Sequence, residues 1–149
     1  MKEFITTSQQ ETKKLAQEIA SGFQGGEIIC LSGDLGAGKT TFTQGLLEAL
    51  GAEGPYTSPT FTIVKEYALK HPKIHEFPNK LSKVYHIDTY RISSDDLLEL
   101  SFNDFAGKPN TATIIEWPEN VKDIIPESAM WLNFEWLDEN KRKITLQKK

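Results

Sequence analysis

The chain has 149 residues, 38% of them hydrophobic and 26% charged, with a formal net charge of -4. That length suits one domain, 1–149, with a real core, and the acidic balance argues against a stand-alone nucleic-acid binder, whose affinity comes largely from Lys and Arg on phosphates. No apolar run approaches the roughly 20 residues that cross a bilayer, no apolar signal segment opens the chain, and the lone Cys30 excludes an internal disulfide; the expected setting is a reducing cytoplasm, with no membrane partner.

"TSQQETKKLAQEIASGF" predicts a helix, opened by Ser8 with Glu11 three residues on and carrying Leu15, Ile19 and Phe23 at four-residue spacing. Gly25 and Gly26 end it. "EIICLSG" predicts a short strand whose unbroken apolar run expects cover on both faces, with Cys30 as core filler. "KTTFTQGLLEAL" predicts a second helix with Phe42, Leu46, Leu47 and Leu50 on one side and Gly51 just past its end. "FTIVKEYAL" alternates like a strand, and the lysine-rich, proline-broken "KHPKIHEFPNKLSK" reads as an exposed excursion. "KVYHIDTYR" predicts a strand, "SSDDLLEL" a short capped helix, "FNDFAGKPN" a loop and "TATIIEW" a β-branched strand. "PENVKDII" begins with a proline suited to a first helical turn, and "MWLNFEWL" and "RKITLQ" predict a closing hairpin. The sum is a three-layer α/β fold with a partly parallel central sheet and a C-terminal hairpin, made P-loop NTPase-like by the motif "GDLGAGKT" between its first strand and second helix.

Between the first strand and the second helix stands "GDLGAGKT", which matches G-x-x-x-x-G-K-[ST] without exception. Glycines let the backbone turn so that successive N–H groups form an anion nest. The helix start adds free amides and its positive dipole end. The residues expected on a nucleotide phosphate are therefore Gly33, Asp34, Leu35, Gly36, Ala37, Gly38, Lys39 and Thr40, with Thr41 following. Lys39 is expected to reach the β- and γ-phosphates, and the Thr40 hydroxyl to ligate Mg²⁺.

Phosphate transfer also needs a carboxylate near the metal and a group that orients the attacking oxygen. Asp88 and Glu116 each end a predicted strand, where ligands gather in such sheets. One would serve the magnesium shell and the other position water, against the plainer reading of polar strand ends. "TSPTF" offers Thr57, Ser58 and Thr60 either as a loop that senses the γ-phosphate or as a simple turn. Arg91 has two readings, charge stabilisation or partner docking on one side and a solvated strand end on the other. Trp117 reads equally as a neighbour of the nucleotide or as core. His86 reads as a packed strand histidine or hydrogen-bond partner rather than a general base. His71 and His75 lack companions for a metal site. Lys70, Lys73, Lys80 and Lys83 read as a solvated loop rather than a nucleic-acid contact.

The ordered set "GDLGAGKTTF", "TSPTF", "HIDTYR" and "IIEWPEN" closely resembles the TsaE (YjeE) family across nearly the whole chain. The resemblance implies a small, weak Mg-dependent ATPase that supports threonylcarbamoyladenosine formation on tRNA. It implies TsaB and TsaD as partners, with tRNA met through that pair. On matching positions it implies Lys39 and Thr40 at phosphate and metal, Thr60 as a switch-like threonine, Asp88 and Glu116 as the acidic pair and Trp117 near ATP. Two features depart from the family pattern. The stretch from Ala68 to Lys83 is longer, and Ser101 stands where the family usually has glycine. Competing readings weaken on the residues. A GTPase lacks its N/T-K-x-D segment and its D-x-x-G switch, and a small-molecule kinase lacks an arginine-bearing lid, since only Arg91 and Arg142 are present. A non-catalytic adaptor switched by nucleotide remains the third reading.

Overall fold

In the computed structural model, residues 1–69 and 81–148 are described; residues 70–80, which carry His71, His75, Lys70, Lys73 and Lys80, lie outside them. A seven-stranded sheet runs in the order β1-β7-β6-β2-β5-β4-β3. Its strands are β1 (Lys2–Thr6), β2 (Ile28–Ser32), β3 (Val64–Ala68), β4 (Lys83–Asp88), β5 (Thr111–Glu116), β6 (Met130–Trp136) and β7 (Arg142–Lys148). β2 pairs parallel with both β5 and β6, and β4 pairs parallel with β5. β7 runs antiparallel to β6 and to β1, and β3 antiparallel to β4. It follows that β1, β6, β2, β5 and β4 all point the same way and end at one edge of the sheet.

The unbroken apolar run of β2 is explained by cover on both sides. Ile29 and Leu31 face α1 (Gln9–Ala20) and α2 (Lys39–Leu50), packing with Leu15, Phe42, Leu46 and Leu50. Ile28 and Cys30 face the opposite layer, with Leu97 of α3 (Ser94–Glu99), Phe102 of α4 (Phe102–Phe105) and Val121 of a 3₁₀ helix at Pro118–Ile124. The three layers and the mixed sheet are as the sequence predicts. Burial pushes the Cys30 thiol up to about 12, the behaviour of an inert core residue.

α1 starts as predicted, with the Ser8 hydroxyl accepting from the Glu11 N–H at 3.1 Å. The Glu11 carboxylate closes back onto the Thr7 N–H at 2.6 Å, one residue earlier than a capping box requires. α1 and α2 approach each other backbone to backbone at Gly45, which has no side chain. A Cβ there would sit 2.8 Å from the Lys13 Cα and 2.9 Å from the Lys13 carbonyl oxygen.

Four local readings are corrected. β1 is a strand that the sequence reading did not contain, because "KEFIT" is charge-rich and mostly exposed and takes its partner, β7, from the far end of the chain. "FNDFAGKPN" is not all loop: Phe102 and Phe105, one helical turn apart, both pack on the sheet layer and so form α4. β3 begins only at Val64, since Ile63 takes a left-handed φ of 68° and Phe61 is 88% exposed. The segment after Pro118 is 3₁₀ and breaks at Val121. Lys83 pairs with Glu66 on the neighbouring strand at 2.8 Å, an exposed contact of small energetic value.

Ser101 has a left-handed φ of 67° at the start of α4, which gives a physical reason for glycine at this place. A non-glycine residue there costs roughly 1–2 kcal/mol, while glycine loses about 0.5–1 kcal/mol in chain entropy. Ser101→Gly is therefore expected to stabilise the fold by about 0.5–1 kcal/mol. Urea unfolding checks this through a higher midpoint at unchanged slope.

Candidate functional site

The loop between β2 and α2 runs along the sheet edge where the parallel strands end. Its entry is sterically closed to any side chain: at Gly33 (φ 135°) a Cβ would lie 2.5 Å from the Phe134 carbonyl oxygen on β6. Its exit is Gly38 (φ 108°), which leads into α2 with no side-chain cap. The first-turn amides of α2 thus have no intrahelical acceptor, and Lys39, Thr40 and Thr41 line the cavity beside the loop. Leu35, Gly36 and Gly38 line it as well. Ala37 instead turns into the core, and its N–H donates to the Asp34 carbonyl at 3.2 Å. Gly33 and Asp34 are likewise not among the lining residues.

Lys39 is buried, and its ammonium donates to the Gly33 carbonyl at 2.5 Å. The same Nζ lies 4.0 Å from the centroid of the Trp117 ring. Burial pulls its pKa below the usual lysine range, and the carboxylates of Glu116, Glu119, Asp88 and Asp34 push it partly back.

Opposite Lys39 are the ends of β4 and β5, whose register places Asp88 directly beside Glu116. Each carboxylate is held differently. Asp88 Oδ2 accepts from the Thr60 hydroxyl at 3.2 Å and Oδ1 from the Tyr90 N–H at 2.9 Å. Glu116 Oε2 meets His86 Nε2 at 3.0 Å, both groups being buried. A carboxylate only accepts, so Nε2 carries the proton. His86 is thus the hydrogen-bond partner that the sequence reading preferred, and the group it holds is Glu116.

Trp117 turns the chain sharply with a left-handed φ of 58°. The Thr89 hydroxyl secures that turn, donating to the carbonyls of Glu116 (2.9 Å) and Trp117 (2.6 Å). The indole packs on Tyr90 with ring centroids 5.0 Å apart. Thr60 joins its loop to the site through Asp88, and Ser58 bonds Thr60 at 2.8 Å.

These groups surround one cavity of about 340 Å³, within the range of small-ligand sites. It brings together Lys39, Thr40, Thr41, Thr60, Asp88, Glu116 and Trp117. Arg91 is exposed and does not line it. The sequence reading missed its other wall, made by Ser8, Gln9 and Thr12 at the start of α1 and by Glu139, Asn140 and Arg142 at the β6–β7 turn. The only signal for that wall is the pairing of Thr6 with Arg142, which joins the two ends of the chain. Among the described residues no group of three or more His, Cys, Asp and Glu side chains could hold a metal. The donor set of one hydroxyl and two carboxylates fits an ion that takes most of its ligands from phosphate and water, as Mg²⁺ does.

A mixed α/β sheet with a glycine-rich strand–loop–helix and two carboxylates at its carboxyl edge defines the class. The family of the threonylcarbamoyl adenosine biosynthesis protein TsaE matches residues 6–144, and the chain belongs to that family. It is 42% identical to the tRNA threonylcarbamoyladenosine biosynthesis protein TsaE of Aquifex aeolicus, covering 100% of this chain and 98% of that protein. It is 32% identical to the protein of the same name in Bacillus subtilis, over 94% of this chain and 81% of that one. The crystal structure of YdiB from Bacillus subtilis superposes with a TM-score of 0.75 at 29% identity, covering 99% of this chain and 84% of that one.

The His86–Glu116 bond carries a stability prediction. His86→Ala leaves a buried carboxylate without its donor, at a cost of about 1–3 kcal/mol, and His86→Gln, which keeps an N–H donor, is expected to recover part of it. Chemical denaturation of the three proteins reads this order directly; equal midpoints for all three would show the bond contributes nothing.

Proposed function

We propose that the cavity binds ATP with Mg²⁺ and hydrolyses it, and that this hydrolysis supports threonylcarbamoyladenosine formation on tRNA together with TsaB and TsaD, in the cytoplasm. The observation that carries the reading is the convergence, on one sheet edge, of the Gly33–Thr40 loop with the Asp88–Glu116 pair. Family membership supports the tRNA-modification role. Among the described residues no helix is long and apolar enough to cross a membrane.

In this reading Lys39 leaves the Gly33 carbonyl to meet the β- and γ-phosphate oxygens, and the amides at the head of α2 take the remaining charge. The Thr40 hydroxyl and one of Asp88 and Glu116 hold the ion, which neutralises phosphate charge when bound. Glu116, fixed by His86, is suited to orient water, while Asp88 is tied to Thr60 and so links the acidic pair to the 57–63 loop. Thr60 is placed to register whether a γ-phosphate is present. Arg142 bonds three carbonyls of its own turn, which does not suit it to swing over a second substrate as a kinase lid would.

Two variants test this. Lys39→Ala removes a charge-assisted contact and is expected to weaken MgATP binding by about tenfold or more in calorimetry. Glu116→Ala is expected to bind MgATP near normally, yet to lose phosphate release without added acceptor and to stop modification in a reconstituted TsaB–TsaD assay. If Glu116→Ala supports full modification, hydrolysis is dispensable and the protein acts as a nucleotide-switched adaptor.

A further inference from the structure

We propose that Gln44 is a positioning residue for the hydrolysis: through one water in a small cavity beside the acidic pair, its side-chain amide fixes the His86 ring, and His86 in turn aims Glu116. The proposal rests on the ATP reading and names what holds the carboxylate that orients water there. It starts from the ring nitrogen that the His86–Glu116 bond does not use. Nε2 donates to Glu116, so Nδ1 of the neutral ring is an acceptor. His86 is 5% exposed, and its Nδ1 has no hydrogen-bond partner among the described residues. A buried polar atom left in that condition is costly.

A cavity of about 20 Å³ lies against this ring. Roughly 10–15 Å³ is room for one water, provided it finds two or more polar partners. His86 and Glu116 line the cavity from β4 and β5, and Gln44 lines it from α2 together with Thr40 and Leu47. Thr40, Gln44 and Leu47 follow the i, i+4, i+7 spacing of one helix side, so α2 turns Gln44 toward the strand ends. Residues 56–58 close the remaining side.

Most donors around this cavity are already engaged. The Thr43 hydroxyl donates to the Lys39 carbonyl at 2.9 Å, and the Tyr56 hydroxyl to the Ala52 carbonyl at 2.6 Å. Thr60 gives its proton to Asp88, so Ser58 is the donor in the Ser58–Thr60 pair. Thr40 also opens onto the larger cavity, where the ATP reading uses it on the ion. Two donors remain. Thr57 is exposed, and its oxygen accepts from Lys65 Nζ. Gln44 is half-buried, and among the described residues no other bond engages its amide. An amide N–H to the water, and the water's O–H to Nδ1, supply the donor that the ring lacks. A ring held at both nitrogens keeps its tautomer and its angle, and Glu116 keeps its aim with it.

Nitrogen-15 NMR of the histidine rings in the full chain tests the contact without nucleotide, with His86→Gln identifying the His86 signals. Gln44→Met keeps the length of the side chain and removes the donor. Its Nδ1 signal is expected to move toward that of a ring nitrogen that accepts no hydrogen bond. With MgATP, kcat for phosphate release is expected to fall about 3- to 10-fold, the effect of one lost hydrogen bond, while KM stays within about twofold. An unmoved Nδ1 signal overturns the proposal, as does an Nδ1 that carries a proton in the native protein. A Thr57→Val variant that moves the signal when Gln44→Met does not makes Thr57 the donor and also overturns it. A moved signal with kcat unchanged, or with KM raised in place of a lowered kcat, overturns the positioning role. If the native protein releases no phosphate from MgATP, the ATP reading fails and the positioning role falls with it; the nitrogen signal, read without nucleotide, then shows separately whether Gln44 holds the ring.

Discussion

Five strands end at one edge of the sheet, and the groups at the cavity are there because of it. β1, β6, β2, β5 and β4 all run in one direction, so the start of α1, the β6–β7 turn, the glycine loop, Trp117 and Asp88 emerge side by side. Parallel strands concentrate ligand groups at their carboxyl ends for this reason. The loop has only the space that β6 leaves it, since the Phe134 carbonyl stands where a side chain on Gly33 would be. Strand direction sets which residues meet, and that close approach sets how the loop leaves the sheet.

Within this frame the polar groups are held by one another. Lys39 would be costly to bury alone. It has a carbonyl, an aromatic face and four nearby carboxylates, which offset burial without cancelling it. Glu116 is anchored by His86 inside the sheet, whereas Asp88 is shared between the Tyr90 N–H and Thr60 of a serine–threonine loop. The two carboxylates sit side by side in register yet are tied to different parts of the protein, one to the rigid interior and one to a surface loop.

Much of this was legible along the chain because it is local. The glycine loop, α2 with its five buried apolar side chains, and the cap on α1 each depend on residues within a few positions of one another. Asp88 and Glu116 were legible because each ends an apolar strand. What escaped was set by long-range pairing. β1 has no apolar run to announce it and exists through its register with β7. The α1 and Arg142 side of the cavity follows from that register and from nothing nearby. α4 escaped for a different reason: one turn of helix, entered through a left-handed serine, has no periodicity to detect. The His86–Glu116 bond needs the alignment of two strands 30 residues apart in sequence.

Gly45 has a consequence well away from its own position. α2 starts at the glycine loop and α1 starts at the opposite wall, so the spacing between these helices sets the width of the cavity at its two sides. With the backbone of Lys13 packed against Gly45, the helices leave no room there for a side chain. A methyl group at that one buried point would act as a wedge, prising apart two walls that it does not touch and spoiling the gauge of the whole cleft.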